Sequence, residues 1–329
     1  MQPLCQDHLE IEDTHDHPDP DSGVLTPELL KPDLACYQPN IGRSRKTDFS
    51  LMEFHVEVKF DRGDDAFQDD SEPLERDTKT SKDSRAQITS YAVAQLSTQF
   101  RTHIFSVLII RDRARILRWD RSGAIVTAAF SLEQRHLADF IWRYKSASLE
   151  DRGEDPTVSA PSDAETQLAR TYLAIQSHQR LVKFTVYHGD NCSATYYIGS
   201  KPVIKRNASP TGRSTRTFVV LDMQSRSLVF LKDTWRIDLD DIQKEGDTYL
   251  DLHKANVSHI PPLVASGDVL DQRTRTHEFV TASWARLIGK PLRFHRHYRL
   301  VLGMIGRDLR EFNSSWEMVN AIRDALQGE

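Results

Sequence analysis

The chain has 329 residues, of which 28% are charged and 39% hydrophobic, and its formal net charge is −5. That length admits two globular parts, and the composition excludes a fibrous or wholly unstructured protein. No apolar run approaches the length of a membrane span, and Cys5, Cys36 and Cys192 lack zinc-type spacing, so a soluble protein of a reducing compartment, cytoplasm or nucleus, is expected without membrane contact. Residues 1–30 hold eight acidic residues and no Lys or Arg. With so little apolar content they are expected to form a disordered acidic tail. His8, His15 and His17 beside Asp13 and Asp16 could take a metal or be plain solvated chain.

A first domain is expected over 31–148. Short aliphatic runs, "DLACYQ", "SLMEFHVEVKF", "THIFSVLIIR", "ARILRWDR" and "AIVTAAF", read as strands. Between the second and third, Ile88, Tyr91, Ala92, Leu96 and Phe100 recur at helical spacing. The polar stretch 61–84 reads as a long loop, and "LEQRHLADFIWRYKSAS" as a closing helix. Residues 149–168, polar with Gly and Pro, read as a linker or a surface excursion. The second domain, 169–329, opens with a helix around 165–178 and continues with strands. It includes the hairpin "RTFVVLD" to "SLVFLK", a helix over 241–256, strands near 262–270 and 297–305, and a helix from Asp308. The fold class is therefore α+β: a mixed α/β domain followed by an antiparallel sheet with one helix.

Side chains alternate along the hairpin, so Lys232 shares a face with Phe230 and Leu228. Glu245, opening the 241–256 helix, can reach Lys232 if Leu250, Leu252 and Val257 bury the other side of that helix. On these residues alone, the two charges read first as a surface ion pair and only second as a binding site. The surroundings add to this. "SPTGRSTRTFVVLD", "FLKDTWR", "KEGDTYLDLHKANVSHIPPLVASGDV" and "HYRLVLGMIGRDLREFNSSWEMVNAIRDAL" together resemble the fungal-type protein kinase family, over 205–325. The first domain resembles the region that accompanies such kinases, which extends the likeness to 32–325.

That resemblance implies an ATP-binding kinase N-lobe. Gly212 to Thr215 would lie in a reduced phosphate-covering loop, Lys232 would be the nucleotide lysine and Glu245 its partner. "LVLGMIG", with Met304, would be the strand and hinge that touch adenine. It also implies a His-Arg-Asp loop and an Asp-Phe-Gly for Mg²⁺. Neither occurs in these 329 residues; "WDR" at 119–121 and "GRD" at 306–308 lack the histidine and the order. An incomplete kinase fold is expected, with ATP and Mg²⁺ as weakly bound cofactors at most and no phosphoryl transfer by the chain as given. An isolated lobe would also expose an apolar face that a protein partner could cover.

In the first domain, Pro32-Asp33 is followed by Glu57-Val58-Lys59, and Gln87 and Tyr91 sit four apart on the helix. This order resembles the PD-(D/E)xK nuclease superfamily. Glu57 and Lys59 share a strand face, and Asp33 on a neighbouring strand can complete a metal site. The alternative is a charge cluster that has lost catalysis, and which metal, if any, stays unknown. Arg118, Trp119 and Arg121 could stack on a base, or Trp119 could pack on the sheet. His188, His295 and His297 read as ordinary sheet or surface residues, and Cys192 as a bystander. Three functions stay open: a kinase-family protein, a metal-dependent nuclease or nucleic-acid-binding module, and a non-catalytic interaction protein.

Overall fold

The computed structural model describes residues 9–24, 28–188, 193–205, 209–285 and 292–327. Cys5, His8 and Cys192 lie outside the described residues. The chain divides into two compact units that are not consecutive in sequence. The first comprises Met1–Pro156, Arg206–Ser214 and Arg273–His295; the second comprises Thr157–Lys205, Thr215–Gln272 and Arg296–Glu329.

The first unit is built on a sheet in the order β1 (Glu10–Asp13), β2 (Leu34–Tyr37), β3 (Phe54–Lys59), β4 (His103–Ile110), β5 (Arg113–Asp120) and β6 (Gly123–Val126), with β7 (Phe130–Ser131) also paired to β5. Only β3 and β4 run parallel. Helix α1 (Lys79–Thr98) connects them, as a parallel crossover requires. Alternation along β3 sorts its side chains by face. Phe54 and Val56 join a core with Val107 and with Leu137, Ile141 and Tyr144 of α2 (His136–Ser146), whereas His55, Glu57 and Lys59 point the other way, toward α1. On the α1 side, Ile88, Ala92 and Leu96 pack on Ile104, Leu108 and Leu117.

Several segments differ from the expectation. A mobile tail was expected over 1–30, but β1 pairs with β2, and Thr14, Asp19, Ser22 and Leu30 are buried. The Asp19 carboxylate accepts the Phe49 amide at 3.0 Å, so polar pairing with residues far along the chain replaces the apolar content that this stretch lacks. Within 61–84, Ala66 and Phe67 are buried, and α1 begins at Lys79 behind the N-cap Thr78. Residues 149–156 are fastened rather than free. The Gly153 carbonyl accepts the Thr102 amide at 2.8 Å, and a Cβ on Gly153 would fall 1.9 Å from the His103 carbonyl oxygen.

The second unit carries a sheet in the order β14 (Leu263–Arg273), β15 (His295–Leu302), β13 (Leu228–Ile237), β12 (Arg216–Asp222), β10 (Ser193–Gly199), β9 (Val182–His188) and β8 (Val158–Ser159), with β11 (Ile204–Lys205) also on β12. Helix α3 (Asp163–Leu173) starts in a Ser162–Glu165 capping box. Helix α4 (Glu245–Lys254) is shorter than the 241–256 segment, and Leu250 is 45% exposed rather than buried. Tyr249 instead packs with Phe230, Tyr298, Leu300 and Leu302. From Asp308 the chain makes a short 3-10 turn before α5 (Ser315–Gln327), on which Trp316, Val319, Ile322 and Leu326 are exposed. No helix among the described residues is long and apolar enough to cross a membrane.

Candidate functional site

Lys232 stands on β13 opposite Thr217 of β12. Its ammonium lies 2.7 and 2.6 Å from the two carboxylate oxygens of Glu245, the first residue of α4. A carboxylate at a helix N-terminus is favoured by the helix dipole. The lysine side chain is 21% exposed and the glutamate 31%. The pair is thus held in geometry yet open to a ligand, which a lysine serving phosphate oxygens requires.

The expected nucleotide site has three further residues, Thr215, Met304 and Gly212. The Thr215 hydroxyl is hydrogen bonded to that of Thr234 at 2.8 Å, within the second unit. Met304 follows β15 and is 55% exposed. Gly212 belongs to the first unit, with φ +95° and its N–H donated to the Arg121 carbonyl at 2.8 Å. That amide is thus paired within its own unit.

On the far side of β13, Asp233 anchors a buried polar cluster. Its Oδ1 lies 2.6 Å from His297 Nε2 and accepts Arg299 Nε at 3.0 Å, while Oδ2 accepts an Arg216 N–H at 2.8 Å. Burial alone would push this carboxyl up, but His297, Arg216 and Arg299 hold it well below the usual range. His297 also stacks on Trp235 with ring centres 4.7 Å apart. Sequence reasoning missed this cluster and placed His295 and His297 among ordinary residues. The available signal was the alternation of "KDTW" against "HYR" on two strands.

In the first unit, four of the five expected residues, Glu57, Lys59, Gln87 and Tyr91, form one hydrogen-bonded network, and Asp33 is bonded to the backbone between Glu57 and Lys59. Lys59 Nζ donates to Glu57 Oε1 and to Gln87 Oε1, each at 2.7 Å. Gln87 donates to the Tyr91 hydroxyl, which donates to the Lys31 carbonyl, again at 2.7 Å each. Asp33 Oδ2 accepts the Val58 amide at 2.7 Å. Glu57 is 2% exposed, and its Oε2 has no hydrogen-bond partner among the described residues. Burial pushes this carboxyl up, Lys59 opposes the rise and Asp33 adds to it. Two further residues extend the stripe. Gln95 follows Gln87 and Tyr91 at the same spacing of four, and His55 precedes Glu57 by two. His55 is fully buried against Tyr91, with ring centres 5.3 Å apart, and burial pushes it down to about 4.

Among the described residues there is no group of three or more His, Cys, Asp or Glu that could hold a metal ion. His15 is instead bonded to Asp13 at 2.5 Å and paired with Asp16 at 2.9 Å. Trp119 is buried and donates to the Ser106 hydroxyl at 2.8 Å, and Arg121 is buried on the Leu96 carbonyl at 2.9 Å, so neither is free to stack on a base. A cavity of about 280 Å³ in the first unit, lined by Leu74, Val126, Phe279, Val280 and Leu292 among others, includes none of these site residues.

A strand lysine closed onto a helix glutamate is the ion pair that protein kinases use to orient ATP phosphates, and a family model described as Fungal protein kinase matches residues 71–329. The chain belongs to the fungal protein kinase family. The matched range contains Lys232, Glu245 and the Asp233 cluster, together with Gln87 and Tyr91. Asp33, Glu57 and Lys59 precede it. No curated protein and no solved structure matches this chain.

Proposed function

We propose that the second unit is the nucleotide-holding lobe of a kinase-like protein. The ammonium of Lys232 would meet ATP phosphate oxygens, Glu245 would orient that ammonium, and the exposed Met304 would lie against adenine. The observation that carries this reading is the two-oxygen contact between Lys232 and Glu245 at 2.6 and 2.7 Å. A lysine aimed by a carboxylate presents its charge without reorganising, which is the form of catalytic stabilisation that phosphoryl transfer uses. Bound ATP would supply the phosphoryl group. The metal ligand and the base of the kinase reaction have no counterpart motif in these 329 residues, so no transfer step is assigned to them. Thermal unfolding of the whole chain with ATP and Mg²⁺ tests the reading. An upward shift that Lys232→Ala removes and Glu57→Ala leaves intact supports it, and a wild-type protein indifferent to ATP ends it.

The orphaned Glu57 Oε2 favours a second reading for the first unit, a nuclease-like or nucleic-acid-binding site. Glu57 and Asp33 are two carboxylates, a number that suits Mg²⁺, an ion that retains several waters. Lys59 would stay near the ion's water or a phosphate. Calorimetric titration with Mn²⁺ should show binding that Glu57→Gln abolishes, and equal binding by that variant would remove the site.

A further inference from the structure

Glu245 is flanked by two residues that are both fastened to the sheet. On one side, Lys244 Nζ lies 3.1 Å from Asp268 of β14, and the same carboxylate accepts two N–H groups of Arg236 of β13 at 2.7 and 2.9 Å. On the other side, the Gly246 N–H donates to the hydroxyl of Tyr298 on β15 at 2.9 Å. This amide belongs to the first turn of α4, where N–H groups have no partner inside the helix. Tyr298 is 2% exposed, so its hydroxyl sits at a fixed point under the helix start.

The approach is too close for a side chain. A Cβ at position 246 would lie 2.1 Å from Ser266 Oγ and 2.5 Å from the Tyr298 hydroxyl, closer than real atoms come. Gly246 is also the one buried residue of α4, a helix of ten residues. A helix that short has little stability of its own and depends on what it is packed against. Its first turn is therefore the part that fixes its position.

We infer that Gly246 and Tyr298 form a positioning clamp that holds the first turn of α4 on the sheet and keeps Glu245 on Lys232 independently of nucleotide. The functional meaning of the clamp rests on the nucleotide role proposed above for that pair. Tyr298 acts through Glu245 and touches no substrate.

The clamp is tested on the full chain without nucleotide, by measuring how fast an amine-reactive reagent, trinitrobenzenesulfonate, modifies Lys232, read by peptide mass spectrometry. Glu245→Gln sets the rate for a released lysine. Tyr298→Phe keeps the ring and removes the acceptor, and Gly246→Ala forces the helix off Ser266. Both should raise the Lys232 rate toward that of Glu245→Gln while leaving the rates at Lys59 and Lys183 unchanged. If Tyr298→Phe raises all three rates together, it has unfolded the protein, and Asp268→Asn, which frees the other flank, takes its place. A Lys232 rate that stays at the wild-type value in the clamp variants but rises in Glu245→Gln overturns the inference, and so does no rise in Glu245→Gln itself. ATP binding is measured separately. Its absence in the wild type would refute the nucleotide role and leave the labelling result standing.

Discussion

Lys232 and Asp233 are adjacent in sequence and serve opposite faces of one sheet. The lysine closes on Glu245 at 2.6 Å on the α4 side, while the aspartate is gripped by His297, Arg299 and Arg216 on the other. Strand β15 repeats the division, with Tyr298 toward α4 and His297 and Arg299 toward Asp233. One face of these strands presents a half-open pair, and the other fixes the strands in place.

The two faces should answer differently to mutation. Lys232→Ala and Glu245→Gln should each abolish an ATP-induced rise in melting temperature while changing stability by about 1 kcal/mol or less, because a partly exposed pair contributes little to folding. Urea unfolding beside ATP titration separates the two effects.

Asp233→Ala should cost about 3–5 kcal/mol, since it leaves Arg216 and Arg299 buried without their carboxylate. A loss below about 1 kcal/mol in denaturant unfolding would show that water reaches the cluster.

His55 makes the fold sensitive to acid. Its folded-state pKa is depressed to about 4 from 6.5, so the stability it contributes is present above 6.5 and lost as the pH falls through about 4. That difference corresponds to about 3 kcal/mol. His103 shifts in the same direction, mainly through burial. His55→Phe, which preserves the ring contact with Tyr91, should flatten this limb by its own share. Unfolding free energies at pH 7 and pH 4 give the answer.

Glu57 has the opposite sign. Its folded-state pKa is raised, so its contribution is present below the ordinary carboxylate value and lost as the pH rises through the raised one. A bound cation would reverse that loss. Mn²⁺ should therefore stabilise the wild type more at pH 8 than at pH 5, with no such difference for Glu57→Gln.

Much of the local pattern was legible. The alternation in "HVEVK" put Glu57 and Lys59 on one face, and the spacing of four put Gln87 and Tyr91 over it. The meeting of Lys232 and Glu245 could be expected from a strand lysine followed by a helix. What escaped depends on partners distant in sequence. Strand β1 exists because Glu10 to Asp13 find residues 34–37, and the Asp233 cluster joins strands more than 60 residues apart. Nor does composition reveal that the Gly212 amide is held by the Arg121 carbonyl. Helix α4 starts at Glu245 rather than at 241 because Gly246 is drawn onto Tyr298, a close approach that helical periodicity does not register.

The order of assembly follows from how the chain is shared between its units. The first unit includes Arg206–Ser214 and Arg273–His295 in addition to its N-terminal stretch. Domains usually fold as they leave the ribosome, N-terminal part first. Here the N-terminal unit cannot be complete until residue 295 has been synthesised, by which point most of the second unit has already emerged. A cut at Pro156 would remove two of its three segments. Limited proteolysis between the units should therefore release no native N-terminal fragment, and a nascent chain stalled before residue 273 should present this unit unfinished to chaperones.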